Sequence, residues 1–213
     1  MPILRKGPQL TKMKKLHRVF FFLSVAFLAA VFVFQLQENR DAVLYADERD
    51  LDSSYVAPFV PTPHEVVDRM LELAEITQGD VLYDLGSGDG RIVIAAVKKY
   101  SVKAVGFEID PALVKVSRQN IKEAGLEDSA EIREQDVRAV DFSPASVVTM
   151  YLYPGANLRL MPELMRQLKP GSRIVSHDFS MGSWKPDRVV RLKDAAGLGR
   201  TIYLWRIADS SRR

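Results

Sequence analysis

Two acidic residues and a glycine-rich turn are the part of this sequence whose residue types and spacing could do chemistry. Asp84 ends an apolar stretch and is followed by glycines at alternate positions, Gly86, Gly88 and Gly90. Glycine lets a turn adopt φ values closed to other residues, and it lets a ligand approach the backbone closely. Glu108 ends the next apolar run. Two carboxylates that flank such a turn suit a nucleoside with a cationic arm.

The spacing of the glycines separates two classes of ligand. Nicotinamide dinucleotide folds use G-x-G-x-x-G with an acidic residue about 20 positions further on, whereas this turn reads G-x-G-x-G. Asp84 precedes the first glycine by two positions, where its charge would repel a pyrophosphate and attract an ammonium or a sulfonium. S-adenosylmethionine (SAM) carries both cations, so we predict a SAM site. A dinucleotide site and a purely structural turn are the alternatives.

The elements that position these residues alternate between strand and helix. We predict seven strands at Val81–Asp84, Val102–Glu108, Ala130–Gln135, Ser146–Leu152, Arg173–His177, Arg188–Lys193 and Thr201–Ile207. Intervening helices predict an α/β, Rossmann-like, doubly wound sheet, mostly parallel with an antiparallel C-terminal strand. Ligands of such sheets bind at the carboxyl ends of the strands. Four polar residues fall at these ends: Asp84, Glu108, Asp136 and Tyr151.

The first helix of the domain has a recognisable start in the sequence. Thr62 has the position of a cap, Pro63 that of the first helical residue, and Glu65 that of the third residue after the cap. This is the pattern of a capping box with proline at the first helical position. A later helix is predicted at Asn157–Leu168, where Pro170 and Gly171 stop it.

The N-terminal part is organised differently from the rest. Residues 1–18 form a basic arm without an acidic residue, and residues 19–36 are almost entirely apolar. The apolar length predicts a single transmembrane helix that binds the lipid bilayer, with a cleaved signal or organelle presequence as the alternative. Residues 37–59 read as an acidic linker, and residues 60–213 as the catalytic domain. The basic flank predicts that the domain lies across the membrane from the cytoplasm. SAM is made in the cytoplasm, so the side of the membrane stays open.

Composition excludes several classes of function. The 213 residues contain no cysteine, which rules out disulfides, thiolate metal sites and a cysteine nucleophile. The three histidines, His17, His64 and His177, show no ligand spacing, so no metal is predicted. The net charge of +3 comes from the basic arm, and no basic stripe with interleaved aromatics predicts nucleic-acid binding. We expect a monomer.

Residues 60–207 resemble the class I, seven-strand SAM-dependent methyltransferases. A narrower resemblance is to the small archaeal broad-specificity protein lysine methyltransferases. The chain is also similar to the mitochondrial enzymes that modify the adenine nucleotide translocase and the ATP synthase c-subunit. Four segments carry this narrower resemblance: Pro58–Pro63, Asp84–Arg91, Val147–Leu152 and Val175–Phe179. The resemblance implies N-methylation of lysine side chains in protein substrates.

Seven residues are predicted to bind the cofactor: Thr62, Asp84, Gly86, Ser87, Gly88, Glu108 and Asp136. Asp84 would hold the amino group of SAM. The turn 86–88 would let the backbone run close to the methionine moiety of SAM. Glu108 would accept both ribose hydroxyls, and Asp136 would accept the adenine amino group. The resemblance implies that Thr62 contacts the SAM carboxylate, with a simple helix cap as the alternative.

The acceptor side is predicted from the fourth and fifth strands. Tyr151 and Tyr153 would line the acceptor channel, with ordinary core aromatics as the alternative. We interpret His177, beside Asp178, as a satisfied strand-end histidine, because methyl transfer from a sulfonium depends on positioning. Residues 180–187 are too short for a covering helix, which favours an open mouth and a protruding lysine.

The residues after the fourth strand disfavour nucleobase chemistry. They read Tyr151-Leu152-Tyr153-Pro154 in place of the Asn/Asp-Pro-Pro-Tyr/Phe of many base methyltransferases. We therefore predict a membrane-anchored, SAM-dependent protein-lysine N-methyltransferase. A small-molecule or lipid-head-group methyltransferase at the membrane surface, and a SAM-binding module without turnover, are the alternatives.

Overall fold

A computed structural model describes residues 59–208 of the chain. The predicted basic arm, the apolar segment 19–36 and nearly all of the acidic linker lie outside the described residues, so the anchor stays a prediction. Within residues 59–208, no helix is long and apolar enough to cross a membrane.

The described residues form an alternating series of helices and strands. The helices are α1 His64–Leu73, α2 Arg91–Tyr100, α3 Pro111–Glu123 and α4 Pro154–Gln167, with a short 3₁₀ helix at Val137–Ala139. The strands are β1 Val81–Leu85, β2 Lys103–Glu108, β3 Ala130–Glu134, β4 Val147–Met150, β5 Arg173–His177, β6 Arg188–Lys193 and β7 Gly199–Arg206. The seven predicted strands are confirmed, with ends that differ by one or two residues.

The strands form one sheet in the order β3-β2-β1-β4-β5-β7-β6. Strands β1 to β5 pair in parallel, whereas β7 is antiparallel to both β5 and β6. The predicted mixed, Rossmann-like sheet is therefore confirmed. The strand order changes direction between β1 and β4, and such a switch point opens a crevice at the carboxyl ends of the strands.

Two apolar cores cover the two faces of the sheet. Helices α1, α2 and α3 pack with Leu82 and Val147 on one face. Helix α4 packs with Tyr83, Leu85 and Met150 on the other. Adjacent residues of β1 thus point into different cores, which explains why this strand reads as a continuous apolar run before Asp84.

The predicted start of α1 is wrong in its details. Helix α1 begins at His64 with Pro63 as its cap residue, and the start of the helix has no side-chain capping hydrogen bond. The Thr62 side chain instead lies 3.2 Å from His177 Nδ1. The Glu65 carboxylate accepts a hydrogen bond from the backbone of Ala195 at 2.6 Å. Both side chains contact residues that are far away in the sequence, so the start of the helix has no capping box.

Helix α4 also begins earlier than predicted, at Pro154 and not at Asn157. Proline is favoured in the first turn because its fixed φ suits the helix and its missing N–H has no partner there. Strand β4 ends at Met150, two residues before the predicted end. The loop 151–153 between them consequently carries both predicted acceptor-channel tyrosines out of the sheet.

Candidate active site

A cleft of about 230 Å³ opens at the carboxyl ends of β1, β2 and β4. Its lining includes all nine residues predicted for the site: Thr62, Asp84, Gly86, Ser87, Gly88, Glu108, Asp136, Tyr151 and Tyr153. These residues come from five separate parts of the chain. The strand ends bring them together, although their individual roles stay predictions.

Asp84 is the most unusual charge of the cleft. Its side chain is buried, with 2% of the residue exposed, and its Oδ1 accepts a hydrogen bond from Thr149 Oγ1 at 2.7 Å. Burial is the main reason that the pKa of Asp84 is raised to about 7; the hydrogen bond from Thr149 opposes the rise, and the neighbouring charges of Glu108 and Asp89 add to it. A buried carboxylate with these neighbours is stabilised by a cation, and an ammonium group fits it.

The glycine turn is closed by hydrogen bonds within the protein. Gly86 and Ser87 both donate their N–H groups to the carbonyl of Phe107 at 2.9 Å. Gly88 has φ of +54°, and an added Cβ there would collide with the Phe59 ring. Because these N–H groups already have acceptors, the turn offers little to a pyrophosphate. The geometry therefore disfavours the dinucleotide alternative.

Glu108 is held firmly at the end of β2. Its Oε2 accepts a hydrogen bond from Gly88 N at 2.8 Å. Its Oε1 accepts from Ile109 N at 2.8 Å and from Asp110 N at 3.0 Å. Three backbone N–H groups thus share the four acceptor positions of the carboxylate. The contact of Glu108 with both ribose hydroxyls stays a prediction.

Asp136 lies at the far edge of the cleft and begins the 3₁₀ helix. Its carboxylate accepts from the backbone N–H of Arg138 at 2.8 Å and from the Arg138 guanidinium at 2.9 Å. Hydrogen bonding and charge from Arg138 lower the pKa of Asp136. The predicted contact with an adenine amino group therefore competes with a local ion pair.

Three aromatic rings form one end of the cleft, where the acceptor channel is predicted. The Tyr151 ring stacks on Phe179 with centroids 5.9 Å apart, and Tyr153 lies 6.1 Å from the same ring. Tyr153 is 40% exposed. Both tyrosines lie outside the two apolar cores and line the cleft, which argues against the interpretation as ordinary core aromatics.

His177 lies directly behind the cleft. The residue is fully buried, and its ring centroid is 4.0 Å from that of Tyr151. Nδ1 contacts Thr62 Oγ1, whereas Nε2 has no hydrogen-bond partner. Burial lowers the pKa of His177 to about 4. The expectation of a satisfied histidine holds for one nitrogen only.

Sequence reasoning missed three residues of the cleft. Phe59 covers the glycine turn and Phe179 completes the aromatic wall. Arg91 binds Asp89 and also donates from Nη1 to the carbonyl of Thr62 at 2.8 Å. All three belong to segments that carry the family resemblance, and that membership was the available signal. Their positions depend on contacts between segments far apart in sequence.

The cleft is strongly acidic. Five carboxylates line it: Asp84, Asp89, Glu108, Asp110 and Asp136. Among the lining residues Arg91 is the single basic side chain, and it is paired with Asp89. No cluster of three metal-binding side chains occurs among residues 59–208. The site therefore favours cationic ligands and disfavours polyanions.

Comparison with known proteins finds relatives that are named as methyltransferases. The family model for the ANTKMT methyltransferase domain matches residues 84–188. A protein-lysine N-methyltransferase of Saccharolobus islandicus is 45% identical over 159 residues, which cover 73% of this chain and 98% of that protein. A domain of this size therefore stands alone in the archaeal relative.

Two further relatives extend the comparison. The human ATP synthase c-subunit lysine N-methyltransferase is 38% identical over 132 residues, which span 62% of this chain and 56% of that protein. A crystal structure titled RNA methyltransferase from Salinibacter ruber, in complex with S-adenosyl-L-homocysteine, is 55% identical with a TM-score of 0.66. The match covers 71% of this chain and 95% of the Salinibacter chain.

The relatives and the cleft agree on the cofactor. The Salinibacter relative is described with the demethylated form of SAM, and the buried Asp84 of this chain suits the ammonium of the same molecule. The chain therefore belongs to the class I SAM-dependent methyltransferases, in the family described by the ANTKMT methyltransferase domain.

Proposed function

We propose that this enzyme transfers the methyl group of SAM to lysine side chains of protein substrates. The observation that carries the proposal is the charge of the cleft, which five carboxylates line. Two of them are paired, Asp89 with Arg91 and Asp136 with Arg138, and the cleft keeps an excess of negative charge. A lysine is the protein side chain whose charge and reach suit such a site.

The aromatic end of the cleft suits the amine that must react. A lysine ammonium has an ordinary pKa of about 10.4 and must lose its proton before it can attack. Tyr151, Tyr153 and Phe179 offer it an apolar surrounding, which lowers the pKa of an amine by desolvation. The same ring faces attract the methylated ammonium that forms. SAM supplies an activated methyl group, so the residues of the chain contribute position and desolvation.

The relatives support this acceptor, with one exception. The archaeal and human relatives are named for lysine methylation, whereas the Salinibacter structure is titled RNA methyltransferase. RNA binding draws its affinity from Lys and Arg at phosphates. No unpaired cation lines this cleft, so protein is favoured and RNA is the second candidate.

Methyl-labelled SAM distinguishes the acceptors in one experiment. The full chain in detergent is incubated with a host lysate, and label is counted separately in protein, RNA and an organic extract. Asp84→Ala should abolish transfer, whereas Asp128→Ala, an exposed acid outside the cleft, should leave it unchanged. Label in discrete protein bands, recovered as methyl-lysine, supports the proposal. Label in RNA supports the second candidate, and label in the extract supports a lipid or small molecule.

We further propose that residues 19–36 anchor a monomeric enzyme to a lipid bilayer. The near-continuous apolar run of this segment and the basic arm before it support the anchor. The full chain should stay with membranes after alkaline carbonate washing, and a chain without residues 1–36 should be released. Release of both chains would contradict the anchor, and sedimentation of the solubilised chain as a dimer would contradict the monomer.

A further inference from the structure

Thr62 and His177 form a polar contact between the cofactor cleft and the residues behind it. Thr62 lines the cleft, and its Oγ1 lies 3.2 Å from Nδ1 of the fully buried His177. The two residues are 115 positions apart in the chain. Either the hydroxyl or the ring donates the shared proton, and that choice decides which polarity Thr62 presents to a ligand.

The surroundings of the other ring nitrogen decide the tautomer. Nε2 of His177 lies 3.3 Å from Asp178 Oδ2, at an angle that makes no hydrogen bond. A lone pair on Nε2 would face the negative charge of that carboxylate, so the single ring proton belongs on Nε2. Arg200 contacts Asp178 at 3.4 Å and Asp194 at 2.8 Å. This arrangement keeps two carboxylates and one guanidinium on the Nε2 side of the ring.

With the ring proton on Nε2, Nδ1 carries a lone pair and accepts the proton of the Thr62 hydroxyl. The Thr62 oxygen then has only lone pairs left for the cleft. A group that can only accept repels a carboxylate and binds a donor. Asp84 lines the same cleft as Thr62, and the donor that SAM would bring to Asp84 is its ammonium.

We propose that His177 is a positioning residue that holds the Thr62 hydroxyl proton, so that Thr62 accepts a hydrogen bond from the ammonium of SAM. This reverses the contact with the SAM carboxylate that the family resemblance implies for Thr62. The proposal concerns cofactor binding and stands whether the methyl acceptor is protein or RNA.

Decarboxylated SAM, which keeps the ammonium and lacks the carboxylate, separates the two contacts. Titration calorimetry would measure its dissociation constant and that of SAM on the full chain, Thr62→Val and Thr62→Ser. We expect Thr62→Val to weaken both ligands by the same factor, about tenfold, and Thr62→Ser to restore both. A penalty on SAM alone would show a contact with the carboxylate and overturn the proposal. An absence of any penalty would overturn it as well.

The role of His177 is tested by coupling. His177→Phe keeps a ring against Tyr151 and removes the acceptor at Nδ1, so the Thr62 hydroxyl can rotate. We expect His177→Phe to weaken SAM, and the double variant with Thr62→Val to weaken SAM by less than the product of the two single factors. Factors that multiply would show independent residues and overturn the positioning role. If His177→Phe does not fold, the comparison of the two ligands on Thr62→Val still decides which group Thr62 contacts.

Discussion

Replacing Asp84 with asparagine should stabilise the cofactor-free protein while destroying its affinity for SAM. Asparagine keeps an oxygen that can accept the hydrogen bond from Thr149 Oγ1. The substitution removes the buried charge. The pKa of Asp84 lies at about 7, against an ordinary value of 3.8, mainly because of burial. That interval corresponds to about 4 kcal/mol of unfavourable free energy for the ionised carboxyl in the folded state.

The sign follows from proton linkage. Between pH 3.8 and 7 the folded protein binds the Asp84 proton more tightly than the unfolded chain does. The contribution of Asp84 to the free energy of unfolding therefore falls as pH rises through this window, and stays low above it. The stability of Asp84→Asn minus that of the parent should rise from near zero at pH 4 to a few kcal/mol at pH 8, with about 4 as the upper figure.

Urea unfolding of residues 53–213, which form one compact unit, would measure the difference between pH 4 and 8. Asp80→Asn is the matched control of opposite sign. Burial by itself would raise the pKa of Asp80, but pairing with Arg173 and hydrogen bonds hold that pKa below its usual range. Asp80→Asn should therefore lose stability at pH 8. An Asp84→Asn protein that is less stable than the parent at pH 8 would refute the reasoning.

The functional half of the prediction uses the same proteins. Ionised Asp84 pairs with the SAM ammonium, so the affinity of the parent for SAM should rise from pH 6 to pH 8. Loss of a charge-assisted hydrogen bond is worth about 3 kcal/mol, or roughly 100-fold in affinity. Asp84→Asn should bind SAM correspondingly weakly, without that rise. Parent-like affinity in the variant would show that Asp84 does not hold the cofactor.

Three further predictions test the turn, the acceptor wall and the base of the sheet. Gly88→Ala should weaken SAM binding strongly, because its Cβ collides with the Phe59 ring at φ of +54°; Phe59→Ala should partly rescue it in the same titration, and no rescue would exclude this clash as the cause. Tyr153→Ala should raise the KM for the acceptor several-fold and leave the dissociation constant of SAM unchanged, since the exposed ring lies in the aromatic wall that we propose for the acceptor; a change in SAM affinity alone would contradict this role. Arg173→Met should cost about 3 kcal/mol in urea unfolding at pH 7, because it leaves the Asp80 carboxylate without its charged partner, and a cost below about 1 kcal/mol would contradict it.

Much of the cofactor site could be predicted because it follows from local pattern and a topological rule. Asp84 and Glu108 each close an apolar run, and parallel strands carry their ends to one edge of the sheet. The spacing of the glycines and the position of Asp84 by themselves favour SAM over a dinucleotide. The structure then explained the same preference, because the turn's N–H groups already have acceptors.

Other parts of the site could not be read from spacing because they depend on contacts between distant segments. The Thr62 side chain has the local pattern of a helix cap, yet its partner is His177 on β5. Glu65 likewise bonds to Ala195 in the last hairpin. Local periodicity carries no information on which of several polar partners wins when the chain closes.

The sequence alone determined the class of fold, the cofactor and the residues at the strand ends, because hydrophobic periodicity and glycine chemistry act over a few neighbouring residues. Tertiary structure alone decided the raised pKa of Asp84, the three backbone hydrogen bonds to Glu108 and the aromatic wall around Tyr151. These properties depend on burial and on orientation, and both arise only when the segments of the chain pack against one another.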